Sequence, residues 1–165
     1  MLSVLLVKRL AGWPVPVRIV SDRAARADIY RQAALALAVS GTVTLELALA
    51  QVPMVVTYVL DPHQARIYDQ HGRPPVSLPN IILGRPAVPE LVQNTPDAGA
   101  MLAAVQALLD SKKARQDQIA AFGELSELME TGEPDFPRQD PADRVLAHWH
   151  QRASSAESSR AGAPL

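Results

Sequence analysis

The 165-residue chain has no cysteine. That absence excludes disulfides, thiolate zinc sites, iron–sulfur clusters and a cysteine nucleophile. Aromatic residues make up only 4%, too few for a base-stacking surface or an aromatic membrane belt. Neither charge sign dominates. The formal net charge is −1, which argues against a nucleic-acid partner held by a broad basic field. No GxGxxG, GxxxxGK[ST], GxSxG or HExxH pattern occurs. His148 and His150 lie two apart and would face different sides of a helix. His63 and His71 flank a short polar helix with no carboxylate pattern beside them, so no metal site is expected.

What is present is an ordinary globular composition, with 48% apolar and 20% charged residues, in a length suited to one domain. Charge is unevenly placed: residues 1–35 carry +4 and the remainder −5. At the N-terminus an apolar stretch precedes Lys8 and Arg9, the reverse of a secretory signal. The run from Ala33 to Leu60 has 28 residues with Glu46 as its only charge, long enough to span a bilayer. Gly41 and Pro53 interrupt it, Ser40, Thr42 and Thr44 cluster beside the glycine, and much of it is alanine. It therefore reads as a buried strand over Leu35–Val39, a helix over Thr42–Gln51 and a β-branched strand over Met54–Tyr58.

Upstream, Val15–Val20 reads as a further strand, and Ser21-Asp22 caps a helix to about Gln32. Downstream, Pro75–Leu78 reads as another. Strands alternating with helices at this spacing predict an α/β domain with a parallel sheet of about four strands. Thr95 is expected to cap a helix with Pro96 at its first position, running through Leu109. Ser111 opens another to about Met129, with Ile119, Phe122, Leu125 and Leu128 at helical spacing. The expected organisation is a partial Rossmann-like domain over 1–130, a Pro- and acid-rich loop over 131–140, a helix over 141–152 and a disordered tail over 153–165.

Two segments carry candidate chemistry. Ser40-Gly-Thr-Val-Thr-Leu-Glu46 sits at a strand-to-helix junction, where ligands of parallel sheets bind. The first helical amides would point at an anion, Gly41 lets backbone approach it, and Glu46 falls one turn later, suited to the vicinal hydroxyls of a ribose. The same residues would also serve as an ordinary helix start with one exposed glutamate. The second segment runs from Val76 to Gln93, where Pro79, Pro86 and Pro89 stiffen loops offering Asn80, Arg85, Glu90 and Gln93. These look like a ligand wall, or like a proline-rich connection without chemistry.

Together, Ala38-Val-Ser-Gly-Thr-Val-Thr-Leu-Glu-Leu-Ala-Leu-Ala50, Pro53-Met-Val-Val-Thr-Tyr58, Val76-Ser-Leu-Pro-Asn80, Gly84-Arg85 and Val88-Pro-Glu-Leu-Val-Gln93 resemble the C-terminal part of lipid-A-disaccharide synthase. The similarity covers roughly residues 10–150. Such enzymes are inverting glycosyltransferases with two Rossmann-like domains (the GT-B architecture). The resemblance implies transfer of 2,3-diacylglucosamine from UDP to 2,3-diacylglucosamine 1-phosphate, with no metal and no cofactor beyond the UDP-sugar substrate. By motif, Ser40, Gly41 and Thr42 would hold the diphosphate and Glu46 the ribose. Asn80, Arg85, Glu90 and Gln93 would line the donor cleft.

Three departures qualify what the resemblance implies. Val59 stands where relatives usually carry Arg, and Pro62–Gly72 is polar where they tend to be apolar and basic. The chain also has about half the residues of such an enzyme. It lacks the acceptor-binding domain with its catalytic base and the Leu-Pro-Gly-Ser-Arg opening of the nucleotide domain. The expectation is a truncated product without a catalytic residue of its own, completed by an N-terminal partner half or self-associating. Its location would be cytoplasmic, with membrane contact at the inner membrane peripheral at most. A non-catalytic UDP or UDP-sugar module, or another enzyme sharing the nucleotide half, such as an epimerase, remain the alternatives.

Overall fold

The computed structural model describes residues 2–133, 136–137, 140 and 142–150. Its elements run α1 (Leu2–Leu10), α2 (Arg23–Gln32), β1 (Ala36–Val39), α3 (Thr42–Leu49), β2 (Met54–Val59), α4 (Pro62–Gln70), α5 (Leu78–Leu83), β3 (Glu90–Gln93), α6 (Ala98–Asp110) and α7 (Lys112–Thr131). Two two-residue strands follow, β4 (Gly132–Glu133) and β5 (Phe136–Pro137), and residues 142–150 are helical. The chain forms two compact units, Met1–Leu125 and Ser126–Leu165. In the second, β4 and β5 pair antiparallel inside the stretch expected to be loop. The expected tail over 153–165 lies outside the described residues.

The first unit is the expected α/β fold. Strands β1, β2 and β3 form a parallel sheet in that order, with Ala38 opposite Val56 and Val56 opposite Glu90. One face is packed by Ala38, Met54 and Val56 against Leu47 and Ala48 of α3, Val52, Val88, and Phe122 and Leu125 of α7. This is where the bilayer-length run is spent. Gly41 ends β1, and Val52 and Pro53 turn the chain from α3 into β2. Among the described residues no helix is long and apolar enough to cross a membrane.

Helix ends follow their local chemistry. Asp22 caps α2 by accepting from Ala25 N, as its position suggested. Asp61 and Gln64 complete a reciprocal capping box at α4, with Pro62 at its start.

Four local expectations are corrected. Val15–Val20 is irregular, not a strand; Pro14 and Pro16, two residues apart, would both withhold an amide from the same strand edge. Pro75–Leu78 is not a strand either. Ser77 is the N-cap of α5 and Pro79 lies in its first turn, a position proline favours. The third strand is instead Glu90–Gln93, expected to be loop; its four residues and polar ends give little alternation to detect. The sheet thus has three strands, not about four. Finally, α6 is capped by Asp97 rather than Thr95, with Pro96 outside the helix.

A side-chain amide ties α7 to the sheet. Gln118, buried, accepts from Met54 N at 2.8 Å and donates to Met54 O at 3.1 Å. Gln118→Leu would keep the volume but leave both backbone groups dry and unpaired, at about 1–3 kcal/mol each. The urea midpoint should fall well below that of the native chain; an unchanged midpoint would show that the amide is replaceable.

Candidate functional site

In a parallel sheet all C-terminal strand ends lie on one edge. Here that edge carries Ser40, Gly41 and Thr42 after β1, Val59 at the end of β2, and Gln93 in register with Val59 at the end of β3. Gly41 is the N-cap of α3 with φ 144° and ψ −170°, a region in which only glycine is comfortable. A Cβ there would meet nothing within 4 Å, so the requirement is conformational rather than steric. No side chain caps this helix start. The first helical amides, at Thr42 and Val43, therefore have no intrahelical acceptor and face outward at the strand ends.

The junction is fastened to α5 from two sides. Ser40 Oγ donates to Val76 O at 2.6 Å. Buried Thr44 Oγ1 donates to Gly41 O at 2.8 Å and accepts from Leu78 N at 3.2 Å. In the sequence Thr44 counts only as one of the polar residues interrupting the apolar run, with no role at the site; a threonine three residues after an N-cap glycine was the available signal. Ser40 has its hydroxyl proton committed to the protein, which leaves its lone pairs and backbone for a ligand. Glu46 is exposed one turn into α3 and makes no ion pair among the described residues. It lines a cavity of about 410 Å³ between α2 and α3 with Arg23, Arg26 and Tyr30.

Asn80 and Glu90 meet in a clamp. Glu90 accepts from Val76 N (3.0 Å), Ser77 N (2.8 Å), Ser77 Oγ and Asn80 Nδ2 (2.8 Å). Asn80, buried, also donates to Val88 O at 2.9 Å and accepts from Ala87 N and Val88 N at 2.7 and 2.9 Å. All four hydrogen-bonding positions of that amide are taken. Both residues border a second cavity of about 310 Å³ with Arg73, Gly84 and Arg85. Arg85 pairs with Glu124 of α7 on the lead-in to β3, at the opposite end of that strand from Gln93. Gln93 Oε1 accepts from Asp97 N at 3.3 Å.

The structure thus gathers Ser40, Gly41, Thr42 and Gln93 at one sheet edge, sets Glu46 beside them toward α2, and turns Asn80 and Glu90 into internal supports. Among the described residues no group of three or more His, Asp and Glu could hold a metal ion.

The family model described as Lipid-A-disaccharide synthetase matches residues 10–136. The lipid-A-disaccharide synthase of Rhodospirillum centenum is 40% identical over 144 residues, 86% of this chain and 35% of that protein. Those of Rhodopseudomonas palustris strain BisB18 and Gluconobacter oxydans are 38% and 35% identical, over 88% and 82% of this chain. The chain spans about a third of the length of these relatives.

The clamp has a spectroscopic reporter. Tyr68 is held above the ordinary tyrosine value of 10.0, first by burial and then by the negative charge of Glu90 and Asp69, opposed by Arg73. A raised phenol pKa favours the neutral folded form. Its contribution to stability is complete below about pH 10 and is lost as pH rises through the folded-state pKa. In Glu90→Gln the phenolate absorbance of Tyr68 should therefore appear at lower pH. The chain should also lose about 1.5–3 kcal/mol, because an amide nitrogen would face donors that now meet a carboxylate. An unmoved titration would contradict the charge placement.

Proposed function

The chain belongs to the lipid-A-disaccharide synthase family, glycosyltransferases of lipid A synthesis, and we propose that it carries the donor side of that reaction. The reaction is transfer of 2,3-diacylglucosamine from UDP to 2,3-diacylglucosamine 1-phosphate, with inversion and without a metal. The observation that supports this best is the uncapped start of α3 behind Gly41, at the C-terminal edge of a parallel sheet. Outward amides and the positive end of the helix favour a diphosphate there, and stabilise the same charge as it grows on the leaving UDP.

In this reading the Gly41–Thr42 backbone and Ser40 hold the diphosphate and Glu46 accepts from the ribose hydroxyls. Gln93 lines the donor cleft, while Asn80 and Glu90 shape its wall by fixing the Val76–Leu78 turn. Arg85 contributes at the far end, through Glu124 and the cavity beside it. The base that activates the acceptor hydroxyl comes from a segment beyond these 165 residues, an N-terminal half supplied with the chain or by a second polypeptide, so the 165 residues alone turn over no substrate. The setting is cytoplasmic, at the membrane surface where acylated substrates reside, and self-association remains a second way of covering the open sheet.

Calorimetric titration with UDP tests the reading. Binding is expected in the native chain and should weaken by about tenfold, roughly 1.4 kcal/mol, in Glu46→Ala. No heat at millimolar UDP, or equal affinity in the variant, would overturn the assignment.

A further inference from the structure

Unpaired charge collects in the groove between α2 and α3. Arg23 and Arg26 of α2 and Glu46 of α3 line it, and none of the three makes an ion pair among the described residues. Arg31 lines it as well, but is paired with Asp28. Tyr30, Leu49 and Ala50 add apolar lining. Two guanidinium groups against one carboxylate leave a surplus of positive charge in a cavity of about 410 Å³, the size class of small-molecule sites.

Arg26 sets this groove apart from an ordinary charged surface. Its Nε is shielded from solvent, yet donates to nothing among the described residues. A buried donor without a partner is unfavourable, because it has given up water and gained nothing in return. An anion in the groove would give that donor an acceptor once the side chain turns its guanidinium edge toward it. The planar fork of arginine matches phosphate oxygens better than any other side chain does.

We propose that Arg26 is a further ligand-binding residue, and that the groove takes a phosphate-bearing, diol-bearing molecule. Arg26 would donate to a phosphate oxygen, Arg23 would add charge at the rim, and Glu46 would accept from the vicinal hydroxyls. The anion contact stands on the groove alone; identification of the ligand as a nucleoside diphosphate rests on the donor-side reading above. Specificity for nucleotide over free phosphate then comes from spanning two helices, with Arg26 on one and Glu46 on the other.

The test follows the arginine Nε–Hε and backbone amide signals of the full 165-residue chain by NMR, titrated separately with UDP, inorganic pyrophosphate and uridine. The Arg26 Nε–Hε signal should move downfield with UDP and pyrophosphate but not with uridine. Arg26→Gln should weaken UDP about tenfold, and Arg26→Lys should restore part of that loss. If UDP moves the Gly41–Glu46 amides while the Arg26 signal stays still and Arg26→Gln binds normally, the Arg26 assignment is wrong and the donor reading survives. If pyrophosphate moves Arg26 while UDP leaves Gly41–Glu46 untouched, the anion contact survives and the donor reading falls. No Arg26 response to either anion overturns the proposal. The unsubstituted chain supplies this readout, so a variant that fails to fold does not decide the outcome.

Discussion

Four donors converge on the Glu90 carboxylate, and the wall of the candidate site hangs from them. A carboxylate on the first residue of β3 reaches back to the amides of Val76 and Ser77, which no strand or helix otherwise occupies. Asn80 extends the same network to Val88 and Ala87. Two further ties, Ser40 to Val76 and Thr44 to Leu78, then fix the β1–α3 junction to this turn. Remove the carboxylate and the turn loses its reason to be where it is. The junction's position relative to β3 would then depend on sheet pairing alone.

The sheet that carries these contacts is packed on one face by α3 and α7, and α6 contacts β2. Leu37 and Val39, 52% and 58% exposed, lie on the face of β1 opposite Ala38. An apolar, unpaired strand edge of this kind invites association. The core nevertheless closes around Met54, Val55, Val56 and Phe122, all fully buried, and the Gln118 amide satisfies the backbone of the central strand where α7 crosses it.

The sequence patterns that proved readable were local. Gly and Pro at 41 and 53 divided a run long enough to span a bilayer, β-branched residues marked β2, and Asp22 marked a helix start. The motifs around Ser40-Gly-Thr and Pro-Glu-Leu-Val-Gln led to the right family. The failures that bear on the site were non-local. Pro75–Leu78 has the composition of a strand, but its amides answer to Glu90, thirteen or fourteen residues on. Conversely, β3 is a strand because β2 offers it an edge, not because of its own pattern. Asn80 and Glu90 looked like free polar ends because nothing in their spacing reveals that they bond each other. Arg26 carried no signal at all, since an arginine on a polar helix face is unremarkable until its Nε is seen to be enclosed.

The most direct measurement is amide hydrogen exchange of the 165-residue chain with and without saturating UDP. Val76, Ser77 and Leu78 should be protected in both states, because their amides are already bonded to Glu90 and Thr44. Thr42 and Val43, without acceptors among the described residues, should exchange freely alone and slow only with UDP. Free-coil exchange at 76–78, or no ligand-dependent slowing at 42–43, would contradict a preformed donor-binding edge in this chain.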